Sequence, residues 1–556
     1  MLELLPPAAI LLVGALVIAV VPRRVGGALM LALPVLAFAQ LLALEPGTSL
    51  SASFYGFEVE PLAVDRLSLA FGYVFCIAAF IAGLYGLQVM GTDERVAATM
   101  YAGSALGVVL AGDLLSLFVF WEIKAIGSTF LVWARRTEEA GRAGKRYLYM
   151  QLAGGKLLLA GILWHIAATG SIEFTAMDPG PAAVLMLLGF LMAAAVPPLH
   201  PWLPDAYPQA TIAGTVFLSA YTTKASVYAL ARGFAGYEVL VWLGVAMALY
   251  GVVYAVLEND IRRLLGYHII SQVGYMVAAV GIGTEMALNG ATAHAFAHIL
   301  YKGLLLMGAG AVLYAVGESL GTRLGGLARK MKAVLTLYMV GAVSISGFPL
   351  FSGFVSKELT MEAASLDERA LVVILLKIAS VGTFLHTGLK LPYMVWFGRD
   401  RGLQPRPVPP SMYAAMGAAA VINFAIGVQP WLLYDLLPFP VPYTPYYAEK
   451  LVEMSQVLLF TGLGFLLLLK KLAAEPTVSL DTDWFYRDAP FRIAGTVKRL
   501  RPERQPGRAG PGVLERFPPL QRAPLAGAKS PVYPTWLLGA SILGVSVLIL
   551  ALALIP

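Results

Sequence analysis

Apolar runs of roughly 17–25 residues recur from one end of this chain to the other, each long enough to cross a bilayer as a helix. They fall at 4–22, 27–45, 67–90, 96–112, 114–134, 147–169, 181–198, 210–232, 238–257, 263–283, 291–316, 332–356, 370–397, 411–429, 451–469 and 534–555. The pattern predicts an all-α polytopic membrane protein of about sixteen transmembrane helices. Of the 556 residues, 58% are hydrophobic and 13% charged, about half the charged share of an ordinary soluble domain. The first run lacks a basic n-region and a small-residue cleavage site, so it reads as a retained helix.

Lysine and arginine collect on the cytoplasmic side of membrane proteins. Alternate loops from Arg23–Arg24 onward hold 29 of the 40 basic residues, 12 of them between 470 and 529, whereas the opposite loops hold Arg66, Arg232, Lys357, Arg369 and Lys450. The asymmetry supports the span count and places both termini outside. It also accounts for the net charge of +7 without a nucleic-acid partner.

The seventh span ends in Ala195-Val-Pro-Pro198, and the twelfth contains Ser346-Gly-Phe-Pro349-Leu-Phe-Ser-Gly353. Proline removes a helix hydrogen bond and glycine loosens the backbone, so both spans should be discontinuous. They lie five helices apart. Two five-helix units each contain an odd number of crossings and are therefore inverted relative to one another, a transporter plan with the ion path at the breaks. The expected divisions are 1–95, N-terminal peripheral helices; 96–232 and 233–400, the two repeats; 401–470, C-terminal peripheral helices; 471–533, a basic proline-rich cytoplasmic connector; and 534–556, the final span.

Cys76 is the only cysteine, which excludes an intrachain disulfide, a Cys-ligated iron–sulfur cluster and a thiolate zinc site in this chain. No Walker or dinucleotide-binding motif stands in a strand–helix setting. No cofactor, metal or catalytic residue is expected, and any redox chemistry or ATP use would belong to a partner.

Charges inside the apolar runs carry the functional signal. Lys124, Lys156, Lys224, Lys302, Lys377, Lys390 and Glu122 all lie within spans, where a charged side chain costs at least a few kcal/mol and usually serves function. Burial disfavours the charged form of an amine, which makes a buried lysine a reversible proton site. Glu122 reads as the only acidic residue well inside a span and needs a cation. Lys124 faces nearly the opposite way, leaving Lys156 or Lys224. His294, His298 and Lys302 recur at spacings of four and share one helical stripe, either a proton wire of groups titrating near neutrality or a structural polar stripe. No carboxylate or thiolate accompanies the pair to make a metal site. Lys224 has hydroxyls nearby, and Lys357 follows the second break. Lys390 has His386 one turn before it, or else is a helix-end lysine snorkelling to the interface. Lys377 has no such company. His200 and Asp205, beyond the first break, form either a cytoplasmic mouth or a rigid turn.

Together these residues resemble the antiporter-type proton-translocating subunits shared by respiratory complex I, membrane-bound hydrogenases and Mrp-type sodium/proton antiporters. The likeness is carried by Trp121-Glu122 with Ser128 and Leu131, by the turn His200–Ala206, and by Lys224 before Tyr228-Ala-Leu. It continues through Asp260-Ile-Arg-Arg-Leu-Leu-Gly-Tyr267 into Ser271-Gln-Val-Gly-Tyr275, the His294–Lys302 stripe, and Ser352-Gly-Phe-Val-Ser-Lys357. Within the family it runs to the D-type subunits of Mrp antiporters, which often carry a segment similar to Leu480-Asp-Thr-Asp-Trp-Phe-Tyr486. The resemblance implies an inverted-repeat fold with a lateral chain of charges. In it Glu122 is the modulating carboxylate, Lys224 and the His294–Lys302 stripe the relay, and Lys357 the exit lysine.

Two positions depart from the family pattern. Where members usually place a lysine seven residues before the turn histidine, this chain has Ala193, and Lys156 is expected to replace it. Arg262 stands where several relatives have lysine. An arginine cannot release its proton, so His268 is expected to take over that relay role. The expected function is proton translocation within a multi-subunit monovalent cation/proton antiporter, with sodium or potassium as counter-ion, in the inner (plasma) membrane. Its partners would be other membrane subunits and lipid. The alternatives are an antiporter-like subunit of a complex I or hydrogenase-type redox pump, a proton path in an inorganic-carbon accumulating complex, or a non-conducting scaffold.

Overall fold

A computed structural model describes residues 6–469, 471, 472, 481, 482 and 484. The connector expected over 471–533, apart from those few residues, and the span expected over 534–555 lie outside the described residues. Asp481, Thr482 and Trp484 belong to a separate unit, in which the Trp484 amide donates to the Asp481 carbonyl at 3.0 Å.

Among the described residues, ten helices are long and apolar enough to cross a membrane, and Pro7–Val20, Pro181–Ala193 and Lys332–Ser346 are shorter apolar helices. The chain is a multi-pass membrane protein. It begins with α1 (Pro7–Val20) and α2 (Arg23–Ala43). A hairpin then departs from the all-helical expectation: β1 (Ser49–Phe54) pairs antiparallel with β2 (Phe57–Ala63), Phe54 opposite Phe57. Tyr55 and Gly56 at its tip both have positive φ (47° and 83°), the backbone that a two-residue hairpin turn requires. This extramembrane loop alternates polar and apolar residues, and it braces the turn before the fifth helix: the Glu60 amide donates to Asp113 Oδ2 at 2.7 Å.

After α3 (Arg66–Gly86) come the two expected repeats. The first comprises α4 (Thr92–Leu110), α5 (Leu114–Trp133), α6 (Glu138–Thr169), α7 (Pro181–Ala193) with the short α8 (Trp202–Ala206), then α9 (Ile212–Ala220) and α10 (Thr222–Gly233). The second comprises α11 (Glu238–Leu257), α12 (Ile261–Ile282), α13 (Glu285–Val316), α14 (Lys332–Ser346) with α15 (Ser352–Leu366), and α16 (Ala370–Thr383) continued by π-helical turns Phe384–Lys390 and Tyr393–Phe397. Helices α17 (Pro410–Val428), α18 (Trp431–Tyr434) and α19 (Ala448–Leu468) follow.

Helix-capping chemistry repeats between the units although their sequences have diverged. Asp113 caps α5 through the amides of Leu115 and Ser116, and Asp260 caps α12 through those of Arg262 and Arg263. Thr137 caps α6 and Thr284 caps α13; both helices run 32 residues and stop at a left-handed glycine, Gly170 or Gly317. Asp113 bridges to Glu173, and Asp260 to Leu320. Every one of these pairs has the same sequence separation. The two units are thus one supersecondary plan used twice, and the odd number of crossings in each inverts them.

Both expected breaks are present. Helix α7 stops at Ala193, and α14 stops at Ser346 before α15 resumes at Ser352. Each connection contains a non-glycine residue in the left-handed region, Ala195 (φ 61°) and Leu350 (φ 72°), a conformation costing about 1–2 kcal/mol that surrounding packing must hold. A third interruption, at Tyr221, was not expected. There the Thr222 amide donates to the Tyr101 hydroxyl at 2.9 Å, which diverts it from the helical ladder and separates α9 from α10.

Candidate ion-translocation site

At the α5 end of the site, Glu122 is 1% exposed and its Oε2 lies 3.4 Å from Lys156 Nζ on α6. Gly155 permits the approach, since a Cβ there would stand 2.0 Å from Glu122 Oε1. Lys156 is not enclosed, as its apolar surroundings in sequence suggested; its side chain is 42% exposed. Lys124 is buried, its ammonium 3.2 Å from the centre of the Trp121 ring, a cation–π seat.

Three of the expected lysines share one device. Lys224 Nζ donates to the Ser219 carbonyl at 2.7 Å, Lys357 Nζ to Ile345 at 2.5 Å, and Lys390 Nζ to Val256 at 2.6 Å. Each acceptor is the penultimate residue of a helix: α9, α14 and α11. The last carbonyls of a helix have no intrahelical donor and carry its negative dipole end. An ammonium group placed there gains a partner inside the membrane without a carboxylate. Lys390 thus has a defined contact at the end of α11.

The α13 stripe lies between these lysines. His294 Nδ1 is 3.1 Å from the Ser356 hydroxyl, one residue before Lys357. His294 and His298 have ring centres 6.2 Å apart. The Tyr301 hydroxyl is 3.4 Å from His294 Nε2 and 3.4 Å from Gln272 Oε1. Lys224, Lys302 and Lys357 all act electrostatically on His298. Lys302, Lys357 and His386 act on His268, whose ring centre is 6.2 Å from that of His386. Residues from five helices therefore form one coupled group. Lys302 Nζ and both ring nitrogens of His268, His298 and His386 are buried without a hydrogen bond among the described residues.

A run of hydroxyls that sequence reasoning missed leads from α5 towards Lys224. The Tyr147 hydroxyl donates to Ser128 Oγ at 2.9 Å and lies 3.4 Å from Thr222 Oγ1, itself 2.6 Å from the Tyr101 hydroxyl. Tyrosine and threonine in apolar helices carry no sequence signal that separates such a chain from packing. Glu358 was missed for a different reason. It is buried on α15 at 1% exposure beside Lys450, which corrects the reading of Glu122 as the only acidic residue well inside a span. The break ends α14 early and sets Glu358 inside a new helix, whereas a continuous span would have ended before it.

The turn on the basic face is more closed than a mouth requires. His200 is fully buried with its ring edge-on to Tyr250, centres 4.6 Å apart, and Asp205 receives two hydrogen bonds from Arg146, at 2.7 and 2.8 Å. A cavity of about 520 Å³ opens nearby, lined by residues including Asp93, Glu94, Arg135, Thr211, Arg262 and Arg406. Arg262 clamps its floor, donating to the carbonyls of Pro208 at 2.8 Å, Ala210 at 2.9 Å and Thr211 at 3.1 Å, and to the Thr215 hydroxyl. Stripping a buried acceptor of its donor costs about 1–3 kcal/mol. Arg262→Leu is therefore expected to lower the melting temperature of the detergent-solubilised protein, with Arg262→Lys intermediate. A leucine variant that melts with the parent would show that the turn is held by other contacts.

Two inverted units broken at corresponding helices, with charged groups gathered between them, define an antiporter-like membrane subunit. The chain belongs to the family described as NADH:quinone oxidoreductase/Mrp antiporter, TM, which it matches over residues 111–384. It is 32% identical over 380 residues to an uncharacterized protein of Methanocaldococcus jannaschii, covering 63% of this chain and 79% of that one. It is 33% identical over 289 residues to the D-type subunit of the Na(+)/H(+) antiporter of Alkalihalophilus pseudofirmus, covering 48% of this chain and 58% of that one. Among solved structures it shares its fold with a chain of the archaeal membrane-bound sulfane sulfur reductase, a respiratory membrane complex, at a TM-score of 0.74 and 24% identity, covering 91% of this chain and 97% of that one.

Proposed function

We propose that this chain is the proton-translocating subunit of a multi-subunit sodium or potassium/proton antiporter of the plasma membrane, with its basic loops in the cytoplasm and both termini outside. The observation that carries the reading is the row Lys224, His298, Lys302 and Lys357, all fully buried within apolar helices. Its two end lysines rest on helix-terminal carbonyls. A lysine on such a carbonyl can leave it on losing its proton and return on gaining one, so each is a two-position site. His298, between them, has both ring nitrogens buried without a hydrogen bond among the described residues, and internal water is the usual means of satisfying such groups. Glu122 with Lys156 sets the field at one end. His294 adjoins Lys357 through Ser356, His268 and Lys390 extend the path beyond the row, and the turn of His200 and Asp205 flanks its basic-face mouth.

Moving a charge against 100 mV costs about 2.3 kcal/mol, so transport needs a driving gradient or reaction. Similarity to the Na(+)/H(+) antiporter of Alkalihalophilus favours a cation gradient. A second reading, a proton path driven by redox partners, is favoured by the fold shared with the sulfane sulfur reductase. The test is the complete complex in vesicles, with a sodium or potassium gradient imposed and proton movement followed by a pH-sensitive dye. Proton movement driven by the cation gradient alone is expected. Movement only on adding an electron donor would transfer the chain to the second reading, and none under either condition would leave it a scaffold.

A further inference from the structure

Beyond Lys357 the charged groups do not stop. Glu358, the next residue on α15, is 1% exposed and pairs with Lys450 Nζ of α19 at 3.1 Å. Lys450, 11% exposed, also lies 3.2 Å from Glu453, one turn further along α19. Glu453 in turn pairs with Lys377 of α16, and both of those side chains are 38% exposed. Charge alternates at every step, and exposure rises from a buried carboxylate to half-open groups. Glu358 stands in the second turn of α15, Lys377 midway along α16, and Lys450 and Glu453 in the first two turns of α19, whose start follows a loop with few basic residues.

We infer that Glu358, Lys450, Glu453 and Lys377 form the passage by which an ion reaching Lys357 leaves to the basic-poor face. The inference rests on the translocation reading above. It assigns α19 a direct part in transport, although sequence reasoning left that helix peripheral. A staple holding α19 against the repeat would need one buried pair. It would not need a second carboxylate and a second lysine of rising exposure. In the passage, Lys450 stands between two carboxylates like a tethered cation, and its movement from Glu358 to Glu453 would free the inner carboxylate to take up what Lys357 releases.

The test uses the complete complex in vesicles, with co-purification of its other subunits as the check on assembly. Lys450→Met and Glu453→Gln are expected to lower gradient-driven proton movement, the former roughly tenfold or more as befits loss of a charged hydrogen bond, with Lys450→Arg retaining most of the parental rate. Glu453→Cys is expected to react with a membrane-impermeant maleimide added from the basic-poor side; the sole native cysteine, Cys76, is buried, so background is low. Glu122→Gln serves as the control. If it stops transport while Lys450→Met and Glu453→Gln run at parental rates, the passage is overturned and the translocation reading stands. If Glu122→Gln also runs at the parental rate, the translocation reading itself falls and takes the passage with it. Absence of labelling at Glu453→Cys in an assembled complex also overturns the passage.

Discussion

Glu122→Gln is expected to bring cation-driven proton transport close to background while leaving the protein assembled. The substitution is isosteric, so Gly155 still accommodates it; it removes the charge that faces Lys156 at 3.4 Å. Lys156→Met is expected to impair transport as severely, but with a different stability signature. It removes the ammonium paired with Glu122, which is 1% exposed, and loss of a charged partner from a buried carboxylate costs stability unless the carboxylate takes up a proton. The lysine variant should therefore melt lower than the glutamine variant, although both are inactive. The double variant should transport no worse than either single one, since both remove the same interaction. Transport near the parental rate in Lys156→Met would reject Lys156 as the replacement for the lysine that Ala193 displaces.

Gly353→Val is expected to be the most damaging single change in the second unit. A Cβ at residue 353 would stand 1.8 Å from the Ser344 carbonyl oxygen, a backbone atom that cannot step aside. The ends of α14 and α15 would have to separate. That separation breaks the Gly353 amide bond to Ser344 Oγ at 3.1 Å and the chain of Ser344, Ser352 and Asn423, whose contacts are 3.0 and 2.6 Å. It also pulls Lys357 from the Ile345 carbonyl. Overpacking a core typically costs about 1–3 kcal/mol, and a clash with backbone lies at the upper end or beyond. The yield of assembled complex and its melting temperature should both fall sharply, and any protein recovered should transport poorly. Gly417→Ala on α17, where a Cβ meets nothing within 4 Å, is the matched control and should be neutral. Equal behaviour of the two variants would show that the break tolerates a wider opening than its close packing implies.

Local pattern was enough for much of this molecule, because helix periodicity and backbone chemistry act over a few residues. Apolar length placed the spans, and proline with glycine placed the breaks after Ala193 and Ser346. The spacing of four set His294, His298 and Lys302 on one stripe whatever surrounds them. The hairpin at Ser49–Ala63 is legible only in its turn residues, and otherwise reads as loop between two spans. The interruption at Tyr221 left no local mark, since it arises when the Tyr101 hydroxyl on another helix takes the Thr222 amide.

Partnership between helices needed the tertiary structure. Lys156 and Lys224 were equal candidates for Glu122 in sequence; packing brought α6 against α5 and sent Lys224 to the carbonyl of Ser219. The ends of α9, α11 and α14 became cation sites only because the fold set a lysine against each exposed carbonyl. Lys450 meets Glu358, and Glu453 meets Lys377, across stretches of chain over which spacing has no meaning. The burial of Glu122, Lys124, Lys224 and Lys302 was written in the sequence through the apolar residues around them, whereas the exposure of Lys156 and Lys377 and the burial of Glu358 were not. What each charge rests on was decided by the tertiary fold, because an ion pair or a cap is set by distances of a few ångströms between elements that no local periodicity connects.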